Sequence, residues 1–182
     1  MIGTTDYNKE YHPFGILITK TETEDDFEFM FRSIKDLVKA IYRVEYKPTI
    51  LLADAAPAIT NGFERVFELT KRVFCWFHVK KAIEKESNKI EDKETRSQIM
   101  NDIIQFHHYV QTDSFKTVAK LMLTKWKQDY KNNKQVESFI NYFMKQWLSP
   151  KRFGWFDHYV DHVPITNNAL ESTNRYIKDQ GN

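Results

Sequence analysis

Residues 51–63 read "LLADAAPAITNGF", an apolar run that ends on an acid and leads into a helix. The run is apolar on both faces, as in a central strand that is covered on both sides. Pro57 suits the first turn of the helix, which we predict to extend to about Leu69. Asp54 therefore lies at the carboxyl end of a strand, where open α/β sheets bind ligands. An acid there either holds a divalent metal ion or caps the local turn.

The flanking sequence alternates strand and helix patterns. Strands are predicted at Ile2 and over Phe14 to Thr19, and a long amphipathic helix follows with Thr23 as its cap. Residues 72–78, "RVFCWFH", read as another buried strand that passes into a helix. This order predicts the α/β fold class.

Composition bounds the class of protein. The chain has 182 residues, and its hydrophobic fraction of 41% is enough for a core. A net charge of +2 is too small to indicate nucleic-acid binding by itself. The single cysteine excludes an internal disulfide framework and fits the cytosol or the nucleus. No apolar stretch is long enough to span a membrane.

Residues 79–150 contain no glycine and show three successive helical patterns, which predict an all-helical block. The block has 13 Lys or Arg against nine Asp or Glu. Most such charge is a solvated helix face, but a local basic surface would bind phosphates. The candidates for contacts with a DNA backbone are Lys116, Lys120, Lys127, Lys131 and Lys134.

Cys75 and His78 are three residues apart at the predicted junction of strand and helix. If Cys75 ends the strand and His78 lies in the first helical turn, both side chains can face one spot. A zinc site needs further ligands, and the spacing of His107 and His108 is unconvincing. Taken alone, the pair is better explained as a buried thiol beside a hydrogen-bonded histidine.

Glu171 has a structural explanation of its own. A final helix is predicted to begin at Asn168, and with Asn168 as the cap Glu171 takes the capping-box position three residues later. The alternative is a metal ligand. It is favoured by the order of an acid at a strand end, a C-x-x-H junction, and an acid in an Asn-rich helix start.

Four stretches together resemble one known family. They are "GTTDYNKEYHPFGILITKTETEDDFEFMF", "LLADAAPAI", "RVFCWFHVKKAI" and "PITNNALESTNRYIK". In this order they are similar to the Mutator-like element (MULE) transposases, which belong to the DDE class and have an RNase H-like fold. The helical block matches in placement and length more than in motif.

The resemblance implies roles for four residues. Asp54 is the second acid of the DDE triad and Glu171 the third, both as metal ligands. Cys75 and His78 are the C-x-x-H motif found between those acids, which helps to shape the site or to engage DNA. The intact enzyme would hold two Mg²⁺ or Mn²⁺ ions.

One departure concerns the first acid. The family's first catalytic Asp lies on the first strand of the sheet, and the strand at Ile2 resembles the second. Asp6 follows that strand and is not the missing ligand. We therefore expect an RNase H-like mixed sheet without its first strand, an incomplete triad, and a chain that is inactive alone.

The expected organisation is an RNase H-like core over residues 1–78, a helical insertion over 79–150, and the rest of the core over 151–182. The implied function is metal-dependent DNA cleavage and strand transfer in transposition, in the nucleus, with DNA as the partner and a homodimer as a further option. A first alternative is a domesticated, transposase-derived regulator that binds DNA without cutting it. A second is a helical interaction module with a small sheet, in which the two acids lie far apart.

Overall fold

A computed structural model of the chain describes residues 1–172 and residue 175. The chain divides into two compact units. The first, which we call the sheet unit, consists of Met1–Cys75 and His162–Asn182. The second, the helical unit, is Trp76–Asp161. Residues 76–78 and 151–161 therefore group with the helices.

The sheet unit opens with an antiparallel hairpin of β1 (Ile2–Thr5) and β2 (Tyr11–Gly15). The strand at Ile2 is confirmed. The prediction of a strand over residues 14–19 is wrong, because the strand starts earlier and ends at Gly15. The register pairs Ile2 with Gly15, so β1 offers no partner for the residues that follow.

Two helices pack against each other in this unit. Helix α1 (Glu24–Tyr42) begins with Thr23 as its cap, as predicted, and Asp26 completes a capping box. Helix α2 (Pro57–Glu64) starts at the predicted proline but ends before the predicted end at Leu69. The chain turns after Glu64, which brings the apolar residues beyond the helix back into the core.

Gly62 allows the close approach of α1 and α2. A Cβ atom added at Gly62 would lie 2.6 Å from Cβ of Phe27. It would also lie 2.8 Å from the backbone oxygen of Glu24 and from the backbone nitrogen of Glu28. Only a glycine fits between these atoms.

Strands β3 (Ile50–Ala53) and β4 (Lys71–Phe74) pair in parallel and are connected through α2. Among the residues that the structure describes, β1 pairs only with β2, and β3 only with β4. The mixed α/β class is confirmed, but the strands form two small sheets instead of one mixed sheet, because no described strand pairs with both. The buried core of the unit is Phe31, Leu51, Phe63 and Phe67.

The helical unit contains the predicted helical patterns. Its helices are α3 (Trp76–Ser87), α4 (Lys93–Tyr109), α5 (Phe115–Asp129) and α6 (Lys134–Trp147). Their core is rich in aromatic residues; the largest buried side chains are Trp126, Trp147, Trp155, Phe139, Phe143 and Phe156. No helix in the described part of the chain combines the length and apolarity that crossing a membrane requires.

Candidate metal centre

The parallel pairing of β3 and β4 brings two predicted site residues to one sheet edge. The register aligns Ala53 with Phe74, and the N–H of Cys75 donates to the carbonyl of Ala53 at 3.1 Å. Asp54 and Cys75 are therefore the next residues beyond the two paired strand ends. Their ligand atoms, a carboxylate oxygen and Sγ, lie within 4.8 Å of each other.

Asn167 connects both side chains to the C-terminal segment. The thiol of Cys75 donates to Oδ1 of Asn167 at 2.9 Å, and Nδ2 of Asn167 donates to Oδ1 of Asp54 at 3.2 Å. An ionised carboxylate only accepts hydrogen bonds, so the nitrogen end of the amide must face Asp54. The thiol then faces the oxygen end, which fixes the orientation of the amide.

Glu171 lies one helical turn from this contact. Its N–H donates to the carbonyl of Asn167 at 3.0 Å, and residues 168–172 are helical. The start at Asn168 is as predicted, but Asn167 takes the cap position and Glu171 comes four residues after it. Positions four apart share a helix face, with about 5–6 Å between Cβ atoms. The capping-box position predicted for Glu171 falls on Leu170 instead.

The loop that carries Asp54 is held by a buried guanidinium. Arg72 on β4 is 9% exposed and stacks 4.5 Å from the ring centre of Phe74. Its Nη2 donates to the carbonyl of Asp54, and its Nε donates to Oγ1 of Thr60 at 2.9 Å. Nη1 contacts the carbonyls of Leu51, Ala53 and Val73 at 3.3, 3.2 and 2.6 Å.

Cys75 and His78 lie at the end of one element and the start of the next. Cys75 is fully buried and follows β4 directly. His78 lies in the first turn of α3, within the helical unit, because this helix begins at Trp76. Their joint role, including a zinc site, stays a prediction.

Asp6 serves its own turn. Its carboxylate accepts hydrogen bonds from the N–H groups of Asn8 and Glu10, each at 2.9 Å. His12 Nε2 lies 3.1 Å from its second oxygen, and this hydrogen bond is the main reason why the pKa of Asp6 is lowered. These contacts make Asp6 part of the turn between β1 and β2.

The five candidate lysines are all exposed. Lys116, Lys120 and Lys127 lie on α5 at positions i, i+4 and i+11, which is one helix face. At 1.5 Å per residue this face is about 16 Å long. Lys131 lies in the turn after α5, and Lys134 begins α6. We call Lys116, Lys120 and Lys127 the basic face.

Residues 1–82 match the family model of the MULE transposase domain. This stretch is similar to the MULE transposase domain. The matched stretch contains Asp54, Cys75 and His78, so the resemblance on which their roles were expected is confirmed at the level of the family. No curated protein and no solved structure matches the chain.

The match ends well before Asn167 and Glu171. The contact of Asn167 with Asp54 is therefore what relates the C-terminal segment to the MULE transposase domain. Sequence reasoning missed this residue, although it lies in the Asn-rich stretch that was noted for Glu171. It also missed Arg72, one of two charged residues at the start of β4.

Proposed function

We propose that the sheet unit is part of the catalytic domain of a DDE transposase, which cleaves DNA and transfers strands with divalent metal ions. Asp54 and Glu171 are its second and third acids in this proposal. The fold is RNase H-like, the helical unit is an insertion between these acids, and the protein acts in the nucleus. The family match supports a transposase-related function, and the finer assignment is our inference.

The contact between Asn167 and Asp54 is the observation that carries the proposal. It brings the start of the last helix to the carboxyl end of β3. Glu171 follows one turn later on that helix. Two acids from distant parts of the sequence thus come to neighbouring elements, as a shared metal site requires. In a module where the acids had no common role, nothing would require this contact.

The donor atoms fit a hard divalent cation. The carboxylates of Asp54 and Glu171 are the oxygen ligands that Mg²⁺ and Mn²⁺ prefer. Such ions, when bound, activate a water or a 3′-hydroxyl and stabilise the leaving oxygen. Arg72 holds the backbone of the loop so that the Asp54 carboxylate stays at the sheet edge. Cys75 orients Asn167 through its thiol.

The first acid of the triad is absent from this assignment. With these two acids alone we expect the metal affinity to be weak.

The basic face of α5 is our candidate for contacts with DNA phosphates. Lysines at one face of a helix give affinity that depends on salt and not on base sequence. We propose that Lys116, Lys120 and Lys127 contact the backbone directly. Lys131 and Lys134 extend the same charged region along the chain.

Metal binding tests the assignment of the acids. We expect Asp54→Asn and Glu171→Gln each to lower the Mn²⁺ affinity of the chain, measured by calorimetric titration, by about tenfold or more. The matched control is Glu64→Gln, which removes an exposed acid at the end of α2 and leaves the affinity unchanged. Wild-type Mn²⁺ affinity in both site variants would refute the assignment.

Salt dependence tests the DNA contacts. Replacing the basic face with glutamine should reduce the slope of log K against log salt for duplex DNA by about 3, close to one unit per phosphate contact. The control variant replaces three scattered exposed lysines, Lys20, Lys39 and Lys93, and should change the slope less. DNA binding without any Mn²⁺ binding would favour the non-cutting regulator instead.

A further inference from the structure

A second group of metal-ligand side chains lies in the helical unit, away from the acids discussed above. It consists of His107 and His108, at the end of α4, and Asp157, in the loop after α6. One ligand atom from each residue lies within 4.8 Å of the others. None of the three has a role in the proposed transposase chemistry.

His107 is the unusual member. Its side chain is fully buried and stacks on the Trp76 ring, with 3.8 Å between ring centres. Its Nδ1 lies 2.9 Å from the carbonyl oxygen of Trp155. A carbonyl only accepts, so Nδ1 carries the hydrogen and the neutral ring presents a lone pair at Nε2.

The lone pair of Nε2 faces a carboxylate. Nε2 of His107 is buried and has no hydrogen-bond partner, yet it lies 3.2 Å from Oδ1 of Asp157. An imidazole lone pair and an ionised carboxylate at this distance repel each other unless a proton or a metal ion lies between them. The other oxygen, Oδ2, lies 2.7 Å from Nδ1 of His108. The backbone is fixed as well, because the N–H of Asp157 donates to the carbonyl of His107 at 3.0 Å.

We propose that His107, His108 and Asp157 bind a divalent transition-metal ion of the zinc class. The ligand atoms are Nε2 of His107, Nδ1 of His108 and a carboxylate oxygen of Asp157. The ion connects the end of α4 to the loop after α6, and a water completes its coordination.

The geometry suits a tetrahedral ion. Ligands about 2.0–2.1 Å from such an ion lie roughly 3.3 Å apart, close to the separation of Nε2 and Oδ1. The bond from Nδ1 of His107 to the Trp155 carbonyl is the outer contact that metal-binding histidines usually make. His108 and Asp157 have side chains that are 48% and 29% exposed, so the ion can enter from solvent. Ligation through Nδ1 of His108 requires the neutral tautomer with its hydrogen on Nε2.

Titration of the 182-residue chain with Zn²⁺ tests the site. We expect one ion to bind, with affinity lowered at least about tenfold by His108→Gln or by Asp157→Asn. Zn²⁺ should also raise the melting temperature of the unsubstituted chain and not that of these variants. Co²⁺ in place of Zn²⁺ should give the visible spectrum of a tetrahedral nitrogen and oxygen site without a thiolate band.

Neighbouring residues provide matched controls. His158→Gln and Asp161→Asn make the same chemical changes at exposed positions nearby and should leave the Zn²⁺ affinity unchanged. Nitrogen NMR of the histidine rings gives a second readout, in which Zn²⁺ shifts one Nε2 and one Nδ1 signal. Zn²⁺ affinity that survives both site substitutions, or that is lost only in Cys75→Ser, would overturn the proposal.

Discussion

The side-chain amide of Asn167 donates a hydrogen bond to the carboxylate of Asp54 at 3.2 Å, although 113 residues separate them in sequence. The same amide accepts a hydrogen bond from the thiol of Cys75. A residue that no catalytic motif required thus joins two parts of the candidate metal centre. Its substitution separates the contribution of this contact from that of the acids themselves.

Replacing Asn167 by aspartate should place two carboxylates face to face. Without metal, we expect Asn167→Asp to lower the free energy of unfolding by about 1–3 kcal/mol, because a hydrogen bond becomes a like-charge contact. Millimolar Mn²⁺ should recover much of the loss, since a cation relieves the repulsion. Urea unfolding in chelator and in Mn²⁺ measures both effects.

Asn168→Asp is the control for that experiment. It adds the same charge one residue later, at an exposed position in the first turn of the last helix, where the helix dipole favours an acid. Equal stability of the two variants in chelator would contradict the role given to Asn167.

Even a substitution that keeps the charge of Arg72 should destabilise the chain. A lysine cannot reach the carbonyls that the guanidinium contacts together, so Arg72→Lys should lower the free energy of unfolding by about 2–4 kcal/mol. Arg32→Lys, at an exposed arginine paired with Glu28, should cost less than about 0.5 kcal/mol. Chemical unfolding of both variants checks the difference, and an equal loss would argue against the buried network.

Gly62→Ala should destabilise the sheet unit although alanine favours helices. The propensity gain is about 1 kcal/mol, while the added Cβ meets Phe27 and two backbone atoms. We expect a net loss of about 1–3 kcal/mol, as for other overpacked contacts. Gly15→Ala is the matched control, because an added Cβ there meets nothing within 4 Å. In thermal unfolding, the melting temperature of Gly62→Ala should be well below that of Gly15→Ala.

The buried ring of His107 should make the folded chain less stable in mild acid. Burial lowers its pKa in the folded chain to about 4, whereas an unfolded histidine titrates near 6.5. The contribution of the neutral His107 ring to the free energy of unfolding is therefore fully present above about pH 6.5, and it is lost as the pH falls toward 4. Linkage gives a loss of about 2 kcal/mol between pH 7 and pH 5.

The groups that face His107 are Asp157, which raises its pKa, and His108, which lowers it. Unfolding curves in chelator at pH 7, 6 and 5 measure the change. His107→Gln should flatten the profile over this range, and His158→Gln should not. A profile that is as steep in His107→Gln as in the unsubstituted chain would contradict the buried neutral ring.

Much of the architecture could be predicted from local patterns. The apolar spacing after Thr23 predicted α1, and the block without glycine predicted α4, α5 and α6. The errors lie at element ends. Helix α2 ends early because the residues beyond Glu64 complete the core through a turn, and β2 ends at Gly15 because its partner strand is short.

The candidate metal centre could be predicted only in part, because several of its contacts join residues far apart in the sequence. Asp54 and Cys75 could be placed at a strand end, because parallel strands leave their carboxyl ends at one edge. The contacts of Arg72 with four backbone carbonyls have no sequence signal. Neither has the tautomer of His107, which depends on the carbonyl of Trp155, 48 residues away.

The sequence by itself therefore determined most of the helices and the resemblance of the first 82 residues to a known family, because each is written in local sequence patterns. The tertiary structure decided that Asn167 meets Asp54, that Arg72 holds the loop, and that Nε2 of His107 faces Asp157. These relationships join residues far apart in the chain. They arise from packing and hydrogen-bond satisfaction inside each unit, which no local pattern encodes.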